Sequence, residues 1–352
     1  MKKPRDTPIW HRLATALLIA SASFGAANAQ GHEMYERPGN LNSAQIASPL
    51  AADDTIGDVL NRQDFRGFAS RLLPWANRTY DESMPLRDFA RLLPYHSDVR
   101  PDVVVAGLNR ILALAQAGWP VFHEIYSEEE RLASPTLNEA GLFFFPGRAG
   151  APFAAIAPGG GFSYVGSVHE GFPYAMTLND LGFNAFVVTY RTGQGREIAT
   201  ADMARAVDYI MTNADTLGVA RDGYSTWGSS AGARMAAYIG SHGPEAFGGV
   251  TAQRPATVVM AYTGHSDVGP DEPPTYAIVG VHDGIAPPSS MRPRVDTLKR
   301  QGAEVAYRVV PDIAHGFGDG TGTTAEGWVT EAAGFWRANL PDDLATLAQP
   351  VE

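Results

Sequence analysis

The sequence of 352 residues predicts an α/β fold, an eight-stranded and mostly parallel sheet with helices on both faces, preceded by an N-terminal helical extension. Two observations carry this expectation. From about residue 121 onward, short runs rich in β-branched and aromatic residues alternate with longer segments of helical periodicity, the pattern of crossover units. One strand-like run, ending at Trp227, passes into a helix-like one through Gly228-Ser229-Ser230-Ala231-Gly232, which reads as a sharp strand-to-helix turn.

Taken in order, strands are expected at 121–126, 141–145, 153–157, 185–190, 224–227, 257–262, 275–281 and 304–310. The first two are separated by a polar segment with no room for a long crossover helix, so the sheet should start antiparallel. A helix is expected at 199–217, where Met203, Ala206, Val207, Ile210 and Met211 recur at helical spacing. Others are expected at 230–239, after the turn, and at 325–339, where Trp328, Ala332, Phe335 and Trp336 form a stripe that reads as core packing.

The first 29 residues read as a secretory signal peptide: Lys2, Lys3, Arg5 and Arg12, then an apolar run from Leu13 to Ala20, then small residues ending Ala27-Asn28-Ala29. The apolar core is far shorter than the ~20 residues of a spanning helix. Cleavage after Ala29 and a secreted or periplasmic location are therefore expected, with no membrane association afterwards. Residues 30–120 form the extension, polar at first and then helical, and 121–345 the main domain. The extension holds two similar pieces, Asp64-Phe65 to Trp75 and Asp88-Phe89 to Tyr95, too few for a repeat architecture. A cap over the site and plain packing against the sheet both remain open for it.

Composition narrows the chemistry. The net charge is −11, and loss of the leader, with four basic residues and one acidic one, takes it to −14. Such an acidic surface disfavours binding to nucleic acid or anionic lipid and suits a neutral substrate. The chain has no cysteine, which excludes disulfides, thiolate nucleophiles and thiolate metal sites.

In G-x-S-x-G, the flanking glycines let strand and helix approach closely and leave the serine on strained backbone. Only Ser230 fits that register, with Gly228 and Gly232 around it, whereas Ser229 is flanked by Trp227 and Ala231. A serine hydroxyl is a weak nucleophile and needs a base oriented by a carboxylate. Asp283 and His315 each follow an expected strand, where open α/β sheets place their sites, and lie 32 residues apart. His282, Asp267 and Asp312 are the rivals. Pro158-Gly159-Gly160-Gly161-Phe162 follows the third strand and offers bare amides, so Gly160 and Gly161, with Ala231, are the candidate oxyanion donors. A phosphate cradle is disfavoured because the lysine of a P-loop is absent. Phe162, Glu170 and His265 are candidates for the substrate rim, with Glu170 expected to pair with Arg191. No metal or other cofactor is expected.

Together, Pro158 to Phe162, Tyr190-Arg191, Gly228 to Gly232, His282-Asp283-Gly284 and His315-Gly316-Phe317 resemble the α/β-hydrolase superfamily over about residues 121–340. Within it they look most like the branch of hormone-sensitive-lipase-like carboxylesterases and acetylxylan-esterase-like enzymes. The resemblance implies a triad of Ser230, Asp283 and His315. Two departures stand out: Pro158 replaces the histidine that commonly precedes the glycines, and only 53 residues separate Ser230 from Asp283, which leaves no large lid between them. The expectation is a secreted serine ester hydrolase acting on short-acyl esters such as acetylated carbohydrate. A serine peptidase of the same fold and an inactive carbohydrate-binding protein are the alternatives, and the oligomeric state is not legible.

Overall fold

Strands covered by helices on both sides are shielded from water on both faces, and the central strands here are buried at every residue. The computed structural model describes residues 47–349, so the expected signal peptide and the start of the extension lie outside the described residues. The strands are β1 (Phe122–Glu124), β2 (Gly141–Phe145), β3 (Phe153–Ala157), β4 (Asn184–Thr189), β5 (Ser225–Ser229), β6 (Thr257–Ala261), β7 (Thr275–Gly280) and β8 (Val305–Val310). They form one sheet in the order β1-β2-β4-β3-β5-β6-β7-β8. β2 runs antiparallel to β1 and β4, and the remaining pairs are parallel. Eight strands and the antiparallel start are as expected, with ends shifted by one or two residues.

The helices are α1 (Ile56–Leu60), α2 (Pro101–Gln116), α3 (Glu128–Ala133), α4 (Phe172–Asp180), α5 (Arg196–Thr212), α6 (Ala214–Leu217), α7 (Ala231–His242), α8 (Pro288–Arg300), α9 (Trp328–Ala338) and α10 (Asp342–Leu347). Phe143, Ile156, Val187 and Trp227 of the strands pack on one face with residues of α2, α4, α8 and α9. Leu142, Phe144, Phe186 and Val188 pack on the other with α5, α6 and α7. The helix expected at 199–217 is thus two, α5 and α6, because the backbone leaves the helix at Asn213 (φ −101°, ψ 14°), whose side chain bonds the Tyr209 carbonyl. In α9 the expected stripe is present: Trp328, Ala332 and Trp336 are buried, and Trp336 stacks on Phe183 with centroids 4.0 Å apart. None of the described helices is long and apolar enough to cross a membrane.

The extension is less helical than expected. Its two similar pieces fold mainly as 3₁₀ turns, Gln63–Phe65 and Ala69–Leu72 in the first and Leu86–Leu92 in the second, and the Trp75 indole of one donates to the Leu92 carbonyl of the other at 2.7 Å. Only α2 is long, started by Pro101 at its first position, where a missing N–H costs nothing. Its face of Val104, Leu108, Ile111 and Leu112 is fully buried in the same cluster as the sheet. Each such side chain contributes roughly 1.5–3 kcal/mol by leaving water. A shared core of that size carries the extension to the carboxyl ends of the strands.

Candidate active site

At the end of β5 the chain turns into α7 through Ser230, at φ 50° and ψ −111°, a strained conformation for a residue with a side chain. Sterics force the glycines. A Cβ on Gly228 would lie 2.3 Å from the backbone of Gly232, and one on Gly232 would lie 1.8 Å from the Ala157 carbonyl oxygen. Because of that φ, α7 begins at Ala231, one residue later than expected. Ser229 is fully buried, its hydroxyl hydrogen-bonded to Tyr174 at 2.9 Å, so it takes no part in the open site.

The structure brings Ser230, His315 and Asp283 together. The Ser230 hydroxyl lies 2.9 Å from His315 Nε2, and His315 Nδ1 donates to Asp283 Oδ2 at 2.7 Å. Asp283 Oδ1 is held separately by the amides of Ile285 (2.9 Å) and Ala286 (2.6 Å), so one oxygen anchors the loop while the other orients the ring. Both partners are buried, and the Tyr262 ring packs edge-on against His315 with centroids 5.1 Å apart. Among the rivals, Asp267 binds His242 at 2.5 Å near the surface, and Asp312 faces His282 at 3.9 Å, both largely exposed.

The glycine turn after β3 runs directly beside the serine. A Cβ on Gly159 would come within 3.0 Å of Ser230 Cβ. Gly160 (φ 135°) and Gly161 (φ 63°) make the turn, closed by Ser163 and Tyr164 amides donating to the Gly160 carbonyl at 3.0 and 3.3 Å. Among the described residues, the amides of Gly160, Gly161 and Ala231 have no acceptor. Through Gly159 this turn touches the serine, and unpaired N–H groups are the kind of donor that a developing oxyanion needs.

The rim expectations need correction. Glu170 has no solvent exposure and does not pair with Arg191. Arg191 instead makes a salt bridge with Asp202 of α5 at 2.6 Å, and Glu170 meets His96 at 3.0 Å. His265 is buried against Tyr238 with centroids 4.5 Å apart, and burial pushes its pKa down to about 3, so it stays neutral. Phe162 alone of the three is partly exposed, at φ 59° with its ring toward Tyr190. A cavity of about 290 Å³ lies among Arg71, Trp75, Tyr80, Thr189 and Tyr190, and none of Ser230, Asp283 and His315 lines it.

Sequence reasoning missed Tyr95, His96, Ser97, His169 and Tyr262, all of which touch the loops around the serine. The Tyr95 ring comes 3.0 Å from where a Cβ of Gly161 would sit, and Ser97 N donates to the Gly316 carbonyl at 3.1 Å. Tyr262 carries a positive φ of 38°, and nothing local in the sequence marks it.

No family model matches the chain. It is 22% identical over 214 residues to an acetylxylan esterase of Xylanibacter ruminicola, covering 52% of this chain, and it spans under half (45%) of that relative's length. Among solved structures, an acetyl ester-xyloside bifunctional hydrolase from Caldicellulosiruptor lactoaceticus superposes with a TM-score of 0.53 at 18% identity, over 62% of this chain and 95% of that one. MGS-M1, an α/β hydrolase from a Medee basin deep-sea metagenome library, does so with a TM-score of 0.50 at 20% identity, over 57% and 92%. The protein has the α/β-hydrolase fold, and the resemblance expected from its motifs is borne out.

Proposed function

We propose that the protein is a serine carboxylic-ester hydrolase that works through an acyl-enzyme on short-acyl esters, with acetyl groups on carbohydrate as the favoured substrates. The observation that carries this reading is the unbroken relay from Ser230 Oγ through His315 to Asp283, beside three free amides. Ser230 attacks the ester carbonyl as His315 Nε2 takes its proton. The carbonyl oxygen becomes an oxyanion facing Gly160, Gly161 and Ala231, and His315 then returns the proton to the leaving alkoxide. Water, deprotonated by the same nitrogen, cleaves the acyl-serine and restores the hydroxyl. Asp283 holds the imidazole tautomer and stabilises its cation throughout.

The acetyl preference is supported by the names of the similar proteins, an acetylxylan esterase and an acetyl ester-xyloside hydrolase. Action outside the cytoplasm, after removal of residues 1–29, is part of the same proposal. Ser230→Ala should lower kcat for p-nitrophenyl acetate by ~10⁶-fold with the fold intact. Retention of most of the hydrolysis would defeat the assignment. Assays of released acetate from acetylated xylan, beside an aminoacyl amide, separate an esterase from a peptidase.

A further inference from the structure

Glu170 is a fully buried carboxylate that takes no part in the proton relay. Taking such a charge out of water is costly unless donors surround it. Three donors do. The amide of Gly159 lies 2.5 Å from Oε2, and the Tyr262 hydroxyl (2.7 Å) and His96 Nε2 (3.0 Å) both reach Oε1. Burial alone would push this carboxyl up, but His96 and the hydrogen bonds hold it at about 2, so it is ionised.

Each donor belongs to a different part of the proposed site. Gly159 opens the oxyanion turn, Tyr262 supports the His315 ring, and His96 comes from the extension. His96 Nδ1 is hydrogen-bonded to the Tyr164 hydroxyl at 2.8 Å, and Tyr164 closes the oxyanion turn. The neighbouring backbone reaches the loop of His315. Gly316 leaves room for it: a Cβ there would meet His96 Cα at 2.7 Å and the Tyr95 carbonyl oxygen at 2.8 Å. The Gly316 carbonyl accepts from Ser97 N at 3.1 Å and lies 2.8 Å from His169 Nε2.

We propose that Glu170 and His96 are a positioning pair that sets the oxyanion turn against Ser230 and His315, and that residues 95–97 of the extension are scaffold of the reaction site rather than a removable cap. This rests on the ester-hydrolase reading. The pair touches no reacting atom. Its effect is to aim the Gly160 and Gly161 amides at the point where charge develops, which belongs to the transition state and not to substrate binding.

The test compares the full chain with Glu170→Gln, Tyr262→Phe and Ser230→Ala, measuring kcat and KM for p-nitrophenyl acetate together with the crystal structures of the first two variants. A glutamine keeps the shape but has one acceptor oxygen in place of two, so it aims an NH₂ group at one of the donors. Glu170→Gln should lose ~10²-fold in kcat, the cost of a misplacement on the order of 1 Å, with the oxyanion turn visibly displaced. KM should stay within about twofold, since ground-state binding is untouched. Tyr262→Phe keeps the ring on His315 and removes one donor, and should lose about tenfold in kcat. It also decides the matter should Glu170→Gln fail to fold. Wild-type kcat in a less stable Glu170→Gln, or wild-type kcat in Tyr262→Phe, would overturn the pair. Absence of Ser230-dependent hydrolysis in the wild type is a separate failure, that of the ester reading. The crystal structures still judge the positioning pair in that case, and a turn left in its original place would refute it.

Discussion

Two histidine–carboxylate pairs sit close together in this molecule and differ in what their histidines have left to offer. His315 gives one ring nitrogen to Asp283 and presents the other to the Ser230 hydroxyl, at the edge of the solvent-facing site. His96 spends both, one on Glu170 and one on the Tyr164 hydroxyl, with its side chain 2% exposed. Both join an imidazole to a carboxylate, yet only the first arrangement can pass a proton back and forth. Reactivity here is a matter of a ring nitrogen left for a nucleophile, and a sealed pair of the same chemical groups can only hold backbone in place.

The largest losses are expected in the pair that moves the proton. His315→Ala removes the base and should cost ~10⁶-fold in kcat, comparable to loss of the serine, in steady-state assays on p-nitrophenyl acetate. Asp283→Asn, which leaves the ring in place with the wrong tautomer favoured, should cost ~10⁴-fold. Asp267→Asn, at the surface pair with His242, should leave the rate near wild type; a loss as large as that of Asp283→Asn would mean that the wrong carboxylate has been placed behind His315.

The Glu170 side is sharpened by pH. Its carboxyl falls from an ordinary 4.5 to about 2 in the folded protein, so the unfolded chain binds the proton first as acid is added. The stability it contributes is complete above pH 4.5 and disappears as pH falls toward 2. The advantage of wild type over Glu170→Gln in urea midpoint should therefore shrink over that window, and a constant difference would argue against an ionised carboxylate.

A second loss of stability in acid is expected higher up the scale, this time caused by burial itself. Burial lowers His123 to about 4 and His265 to about 3 from an ordinary 6.5. The unfolded chain protonates these rings below pH 6.5 while the folded one does not, so stability should begin to fall there. His265→Gln should flatten that slope between pH 6.5 and about 3 in a series of urea melts.

Much of the sheet was legible because strand and helix periods are local. Runs such as Gly141–Phe145 and Phe153–Ala157 show their boundaries in adjacent residues. So was the relay: an elbow serine announces itself by two glycines, and Asp283 and His315 by following strands in a fold whose sites lie at strand ends. The partner of Glu170 was not legible. Arg191 looked suitable in sequence, but its guanidinium is taken by Asp202, eleven residues on. The role passed to His96, which lies 74 residues before Glu170 in the chain and is delivered by an extension docked through α2. By itself, the sequence determined which groups could do the chemistry, since strand ends, turn glycines and residue types are short-range properties. Which buried charge meets which donor was decided only in the tertiary structure, because packing of distant segments chooses among several equally plausible pairs.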